Sequence, residues 1–273
     1  MRRWKVETGV FLAVAFVAAG ALGAVQPATG IPSEVVQLTQ FGPAAGVAVV
    51  ALLWPSRIRT RLAGSLPGRS GRGPADGSEG GPTRGRAVRL LFTALLIVAL
   101  SAGTYALVGG SAGMTDPRAL REPFVLIVLA QLVGACSEEI GWRCLLQPLV
   151  RTRFGPVSAS VLVGLVWGAW HVQVFAQAPA YTVGFLLATV AMSVVLGLGL
   201  EGVRANRLLL AGGFHTLINL GMLLFMDKES GAVVPMVLFG AACLLAAVPW
   251  VLRTLPAART SAEYALTAGH RGR

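Results

Sequence analysis

The chain has 273 residues, of which 55% are apolar and only 13% charged, with a mean hydropathy of +0.69. A soluble domain of this length does not carry that balance. The net charge of +11 would suit a nucleic-acid binder, but the positive residues sit in short segments between long apolar runs, which is a pattern of membrane topology.

A membrane-spanning helix needs about 20 mostly apolar residues. Eight segments meet or nearly meet this, at about 8–25, 35–54, 87–109, 123–149, 156–175, 181–200, 208–226 and 232–252. The first follows Arg2, Arg3 and Lys5 and ends in small residues, as a secretory signal does, but its apolar run is too long and predicts an uncleaved anchor. Between the second and third lies 56–86, rich in Gly, Pro, Ser and Arg and without apolar periodicity, which predicts a flexible cytoplasmic loop near anionic headgroups. Cys136, Cys144 and Cys243 lie in or beside apolar runs, with no metal-ligand spacing, and no disulfide is expected.

With eight spans and the N-terminus inside, nineteen basic residues fall on the cytoplasmic side and only Arg118, Arg121 and Lys228 on the other, leaving Arg143 within a span. The predicted fold is therefore all-α, a polytopic transmembrane helix bundle of about eight spans with both termini cytoplasmic. Its parts are 1–86, two spans and the basic loop; 87–253, the core membrane domain; and 254–273, a cytoplasmic tail. No internal repeat suggests paired transporter halves.

An ionisable group inside a span is costly and is a functional candidate by default. Ten of the twelve acidic residues fall in loops or at span ends, leaving Glu138 and Glu139 in the fourth span; of three histidines, His171 falls in the fifth and His215 in the seventh. Glu139 and Arg143 are four apart in the favourable order for a helical ion pair, which leaves Glu138 available. His215 and Asn219 are one turn apart, as are Trp167 and His171, so each pair can face one cavity.

A carboxylate to take a proton from water, imidazoles to relay it or bind metal, and a neutral donor for an oxyanion are what amide hydrolysis requires, and Glu138, His171, His215 and Asn219 supply each type. Glu138, His171 and His215 can equally hold zinc with an open fourth position, so both metal-free and metal-bound water activation stand open. Glu139 and Arg143 read as a supporting ion pair, and Trp142, Trp167 and Trp170 as packing or cavity wall. Gly164 and Gly168, four apart, suit close helix packing.

These residues resemble the CPBP family, which includes the type II CAAX prenyl endopeptidases and bacterial relatives linked to bacteriocin processing and immunity. The family's Glu-Glu-x-x-x-Arg is matched by Glu138, Glu139 and Arg143. Its Phe-x-x-x-His is matched by Trp167 to His171 with Trp in place of Phe, and its His-x-x-x-Asn by His215 to Asn219. The likeness covers about 131–219. It implies an intramembrane endopeptidase in which Glu138 and His171 activate water and His215 and Asn219 stabilise the oxyanion; descriptions of the family as metalloproteases keep zinc open as a cofactor.

The expected partners are membrane lipids and a membrane-associated or lipid-anchored polypeptide, prenylated of the CAAX type or not, reached from the cytoplasmic side; nucleic acid is not expected. The abundance of Gly, Ala, Val and Arg fits a GC-rich genome and a bacterial plasma membrane. Two other functions compete: a proton-coupled transporter with Glu138 and the histidines as its relay, and a non-catalytic immunity or secretion partner with an inherited cavity. One mismatch stands out. At 1.5 Å per residue, Glu138 lies roughly 22 Å below the outer end of the fourth span, and His171 roughly 22 Å above the inner end of the fifth. An extended fourth helix, or tilted or broken spans, would bring them level, and the extended helix is preferred.

Overall fold

The computed structural model describes residues 3–63, 65, 81–108, 115–203, 205–225 and 231–254. Every regular element among them is helical. The order is α1 (Arg3–Thr29), a 3₁₀ turn (Leu38–Phe41) leading into α2 (Gly42–Leu53), α3 (Pro55–Leu62), α4 (Gly81–Leu107), α5 (Phe124–Glu139), a π-helical segment (Ile140–Leu146), α6 (Gln147–Arg151), α7 (Pro156–Trp170), a 3₁₀ turn (Val172–Ala176), α8 (Pro179–Gly199), α9 (Arg207–Phe225) and α10 (Val233–Leu252).

All eight expected apolar segments are helical, but they are not eight equal spans. Among the described residues, six helices are long and apolar enough to cross a membrane: Trp4–Thr29, Arg84–Leu107, Phe124–Arg151, Pro179–Gly199, Arg207–Phe225 and Val233–Leu252. The other two, Leu38–Leu53 and Pro156–Trp170, are shorter. At 1.5 Å per residue they reach only about 22–24 Å, against about 30 Å of hydrocarbon. α2 finishes and α7 starts at the end of the bundle that carries α3, and a 3₁₀ turn precedes α2 and follows α7 toward the other end. This chain is thus an all-α, multi-pass membrane bundle with two deliberate shortfalls at one end.

The α5–π–α6 run is continuous over 28 residues, about 42 Å, and so overshoots the hydrocarbon thickness. Counted from the turn at 152–155, Glu138 and His171 both stand about 21–24 Å up their respective helices. The mismatch in depth disappears because the long helix and the short one share an inner turn.

Close packing follows the small residues. α7 lies along α8 and α8 along α10, while α5 packs on α9 and α1 on α2. A Cβ at Gly164 would stand 2.7 Å from the Val190 Cα, and one at Gly168 would stand 2.6 Å from the Thr189 hydroxyl, so α7 can approach α8 only with hydrogen at these positions.

The stretch expected as one long loop, 56–86, is partly helical. α3 buries Ile58 and turns Arg57 and Arg61 onto Glu7 of α1, at 2.8 and 3.0 Å. That buried carboxylate orders the first basic segment, and α4 begins at Gly81. The rest of that loop, 64 and 66–80, and the tail beyond 254 lie outside the described residues.

Candidate active site

Glu138 and Glu139 close α5 where the π segment begins. Their neighbouring positions send them in different directions. Glu138, 2% exposed, lines a cavity of about 340 Å³. Glu139, fully buried, points between helices.

Glu138 Oε2 accepts a hydrogen bond from the Trp167 indole, 2.9 Å away. Trp167 therefore does more than wall the cavity: its single N–H orients the carboxylate. The family's Phe at that position has no donor to offer.

Glu139 holds two partners. Its Oε1 is 3.0 Å from His215 Nδ1, and its Oε2 is 3.2 Å from Arg143 Nε. The expected ion pair is present, with a histidine added. The Arg143 contact is out of line for a hydrogen bond, and none of the three guanidinium nitrogens has a hydrogen-bond partner among the described residues. Charge holds this fully buried cation, together with the Trp167 ring 4.9 Å below its guanidinium carbon.

Both histidines are oriented through Nδ1. His171 caps α7, with backbone φ −78° and ψ 64°, where the helix has ended. Its Nδ1 lies 2.9 Å from the Trp167 carbonyl. A carbonyl only accepts, so Nδ1 carries the proton, and a neutral His171 keeps its basic lone pair on Nε2. Trp170 and Phe185 flank the ring, each with a centroid 4.9 Å away. His215 donates from Nδ1 to Glu139 in the same manner.

Asn219, one turn above His215, is fixed by a residue that the motifs do not name. Gln131 Nε2 donates to the carbonyls of Glu34 and Val35, at 3.1 and 3.2 Å. Those carbonyls can only accept, so Gln131 must present its oxygen to Asn219, which donates from Nδ2 at 3.0 Å. The amide of Asn219 is thereby set with its NH₂ on a defined side. Gln131 lies seven residues before Glu138, on the same face of the same helix. That spacing was the available signal.

Glu138, His171, His215 and Asn219 all line the one cavity, along with Trp167. Three helices contribute them: the end of α5, the end of α7, and α9. Glu139 and Arg143 stand behind it. The cavity runs from this floor past Thr189, Phe185 and Tyr181 to Gln173, Gln177 and Ser33, which are exposed.

The zinc expectation rested on Glu138, His171 and His215. Among the described residues no three His, Cys, Asp or Glu side chains are grouped so as to hold a metal ion. Trp167 engages only Oε2 of Glu138, so metal-free and metal-bound water activation both stay open.

A buried carboxylate and two oriented imidazoles thus lie at the floor of one cavity in an apolar helix bundle. Residues 120–221 match the family described as Type II CAAX prenyl endopeptidase Rce1-like. Among curated proteins it is similar to a "CAAX prenyl protease 2" of Methanococcus maripaludis, 29% identical over 128 residues, 42% of this chain and 47% of that one. It is also similar to a "Lysostaphin resistance protein A" of Staphylococcus aureus, 24% identical over 150 residues, 54% of this chain and 35% of that one. The chain thus spans about half or less of the length of these relatives. The matched stretch contains all three motifs, and with its long apolar helices the chain is a multi-pass protein of the bacterial membrane type.

Proposed function

We propose that this protein is an intramembrane endopeptidase acting on a membrane-associated polypeptide. The observation that carries the proposal is that Glu138, His171, His215 and Asn219, scattered over 82 positions of sequence, line one cavity.

In the proposed mechanism, water sits between Glu138 and His171. The carboxylate or Nε2 of His171 takes its proton as the oxygen attacks the scissile carbonyl carbon. The carbonyl π electrons move to oxygen. Asn219 Nδ2–H and the Nε2–H of a protonated His215 are the donors for that oxyanion, and Glu139 is the counter-ion that such an imidazolium needs in a buried site. Collapse of the intermediate breaks the C–N bond, and the proton held by Glu138 or His171 passes to the leaving amine. Arg143 balances the charge of Glu139 and touches no reacting atom.

The Methanococcus maripaludis relative is itself named a protease. A second function draws support from the staphylococcal relative, whose name records resistance and not cleavage: a non-catalytic partner role that needs the cavity but not its chemistry. The two separate on one variant. Purified wild type is expected to cleave a panel of quenched peptides, farnesylated and unmodified, and folded Glu138→Ala protein is expected to be silent. Retention of full biological function by Glu138→Ala in cells would favour the partner role. Zinc measured on the same samples decides between metal-free and metal-bound water.

A further inference from the structure

We infer that the cavity is served from the extracytoplasmic side of the membrane, so that its substrate is a membrane-anchored polypeptide whose scissile segment lies outside the cytoplasm. The substrate half rests on the peptidase function proposed above; the side of access rests on the fold alone.

The two ends of the bundle differ in charge and in shape. At one end lie α3, the start of α4, the turn between α6 and α7, the start of α9 and the end of α10. With the start of α1 included, this end carries twelve Lys and Arg among the described residues against two acidic ones, Glu7 and Glu201. The other end carries two basic and three acidic residues. Basic connections are retained in the cytoplasm, and the bias here is one-sided.

The cavity opens at the poorly charged end. Its exposed rim comes from the α1–α2 connection (Ser33) and the α7–α8 connection (Gln173, Gln177). Its walls use the first half of α8, through Tyr181, Phe185 and Thr189, and the last half of α9, through Asn219 and Met222. Those halves adjoin the same end. Of the two short helices, α2 begins short of it and α7 ends short of it. Their missing turns form the well, and the 3₁₀ turns that replace them form its lip. The cytoplasmic access expected from sequence would require the opening to lie among the basic connections.

The rim also says what kind of segment enters. The side chains of Gln37, Gln173 and Gln177 offer amide donors and acceptors, which match an extended peptide backbone. No Lys or Arg lines the cavity among the described residues.

Single cysteines at Gln177, on the rim, and Arg59, on exposed α3, test the orientation in intact cells with a membrane-impermeant maleimide, with the unsubstituted protein as the blank for its native cysteines. Gln177→Cys should label in intact cells. Arg59→Cys should label only after permeabilisation. The reverse pattern, or labelling of both only after permeabilisation, overturns the inference. The readout is the same in a Glu138→Ala background, so a failed orientation leaves the peptidase proposal standing, and a silent enzyme leaves the orientation answerable.

Discussion

At the scale of residues, the site is a set of acceptors each given its donor. Trp167 is the clearest case. Trp167→Phe keeps the ring against Arg143 and His171 but removes the N–H on Glu138 Oε2. A hydrogen bond to a charged group contributes about 1.5–3 kcal/mol, so peptide cleavage should fall about tenfold or more with the thermal midpoint little changed. Wild-type turnover in the Phe variant would reduce Trp167 to a wall. Glu139→Gln leaves Arg143 buried without its counter-charge and should cost about 3–5 kcal/mol of stability. Adding Arg143→Met should return part of that stability without returning activity, as a double-mutant cycle on unfolding and turnover would show.

Sequence exposed the ionisable half of this set because a carboxylate or imidazole stands out in an apolar run. It also picked out Asn219 but missed the amide that orients it. Gln131 is neutral and common at helix interfaces, and its role depends on the carbonyls of Glu34 and Val35, nearly a hundred residues away. Nor did the spacing reveal that Glu139 would serve His215 as well as Arg143, because that contact joins α5 to α9 through space.

At the scale of elements, positions are set by helix length and by close approach. The periodicity of 123–149 predicted one helix and could not show that seven of its residues, Ile140–Leu146, are π-helical. Such segments recur at functional sites. Here it begins immediately after the two glutamates and holds Arg143, fully buried, beside Trp167. The lengths of α2 and α7 were overestimated because apolar composition continues past the residues that stay helical, His171 being the stop for α7. The Gly164 and Gly168 pair was legible and does what its spacing suggested. Gly164→Val must push α7 from the α8 backbone at Val190, and so shift His171 relative to Glu138. Loss of activity with a lowered melting temperature is expected, whereas Gly155→Ala, with open space around its Cβ, should match wild type in both. A Gly164→Val protein as stable and active as wild type would show that the helices are not held at that distance.

At the scale of the whole molecule, composition alone established a multi-pass helical bundle, and three ordered motifs pointed to its family. What it could not resolve was how eight apolar segments share the membrane, since two are too short to span it alone and instead shape a cavity between six that can. The charge asymmetry, plain in the sequence, became a statement about access only once the opening was located at the opposite end. The account as a whole stands on Glu138 as the group that activates water in that cavity. The most direct measurement is therefore cleavage of quenched, membrane-partitioning peptides by purified wild type and by Glu138→Ala and Glu138→Gln proteins shown by thermal melt to be folded. Wild-type hydrolysis that is lost by at least a hundredfold in both variants, about 2.7 kcal/mol of transition-state stabilisation, is the predicted result; hydrolysis at the wild-type rate in either folded variant would contradict it.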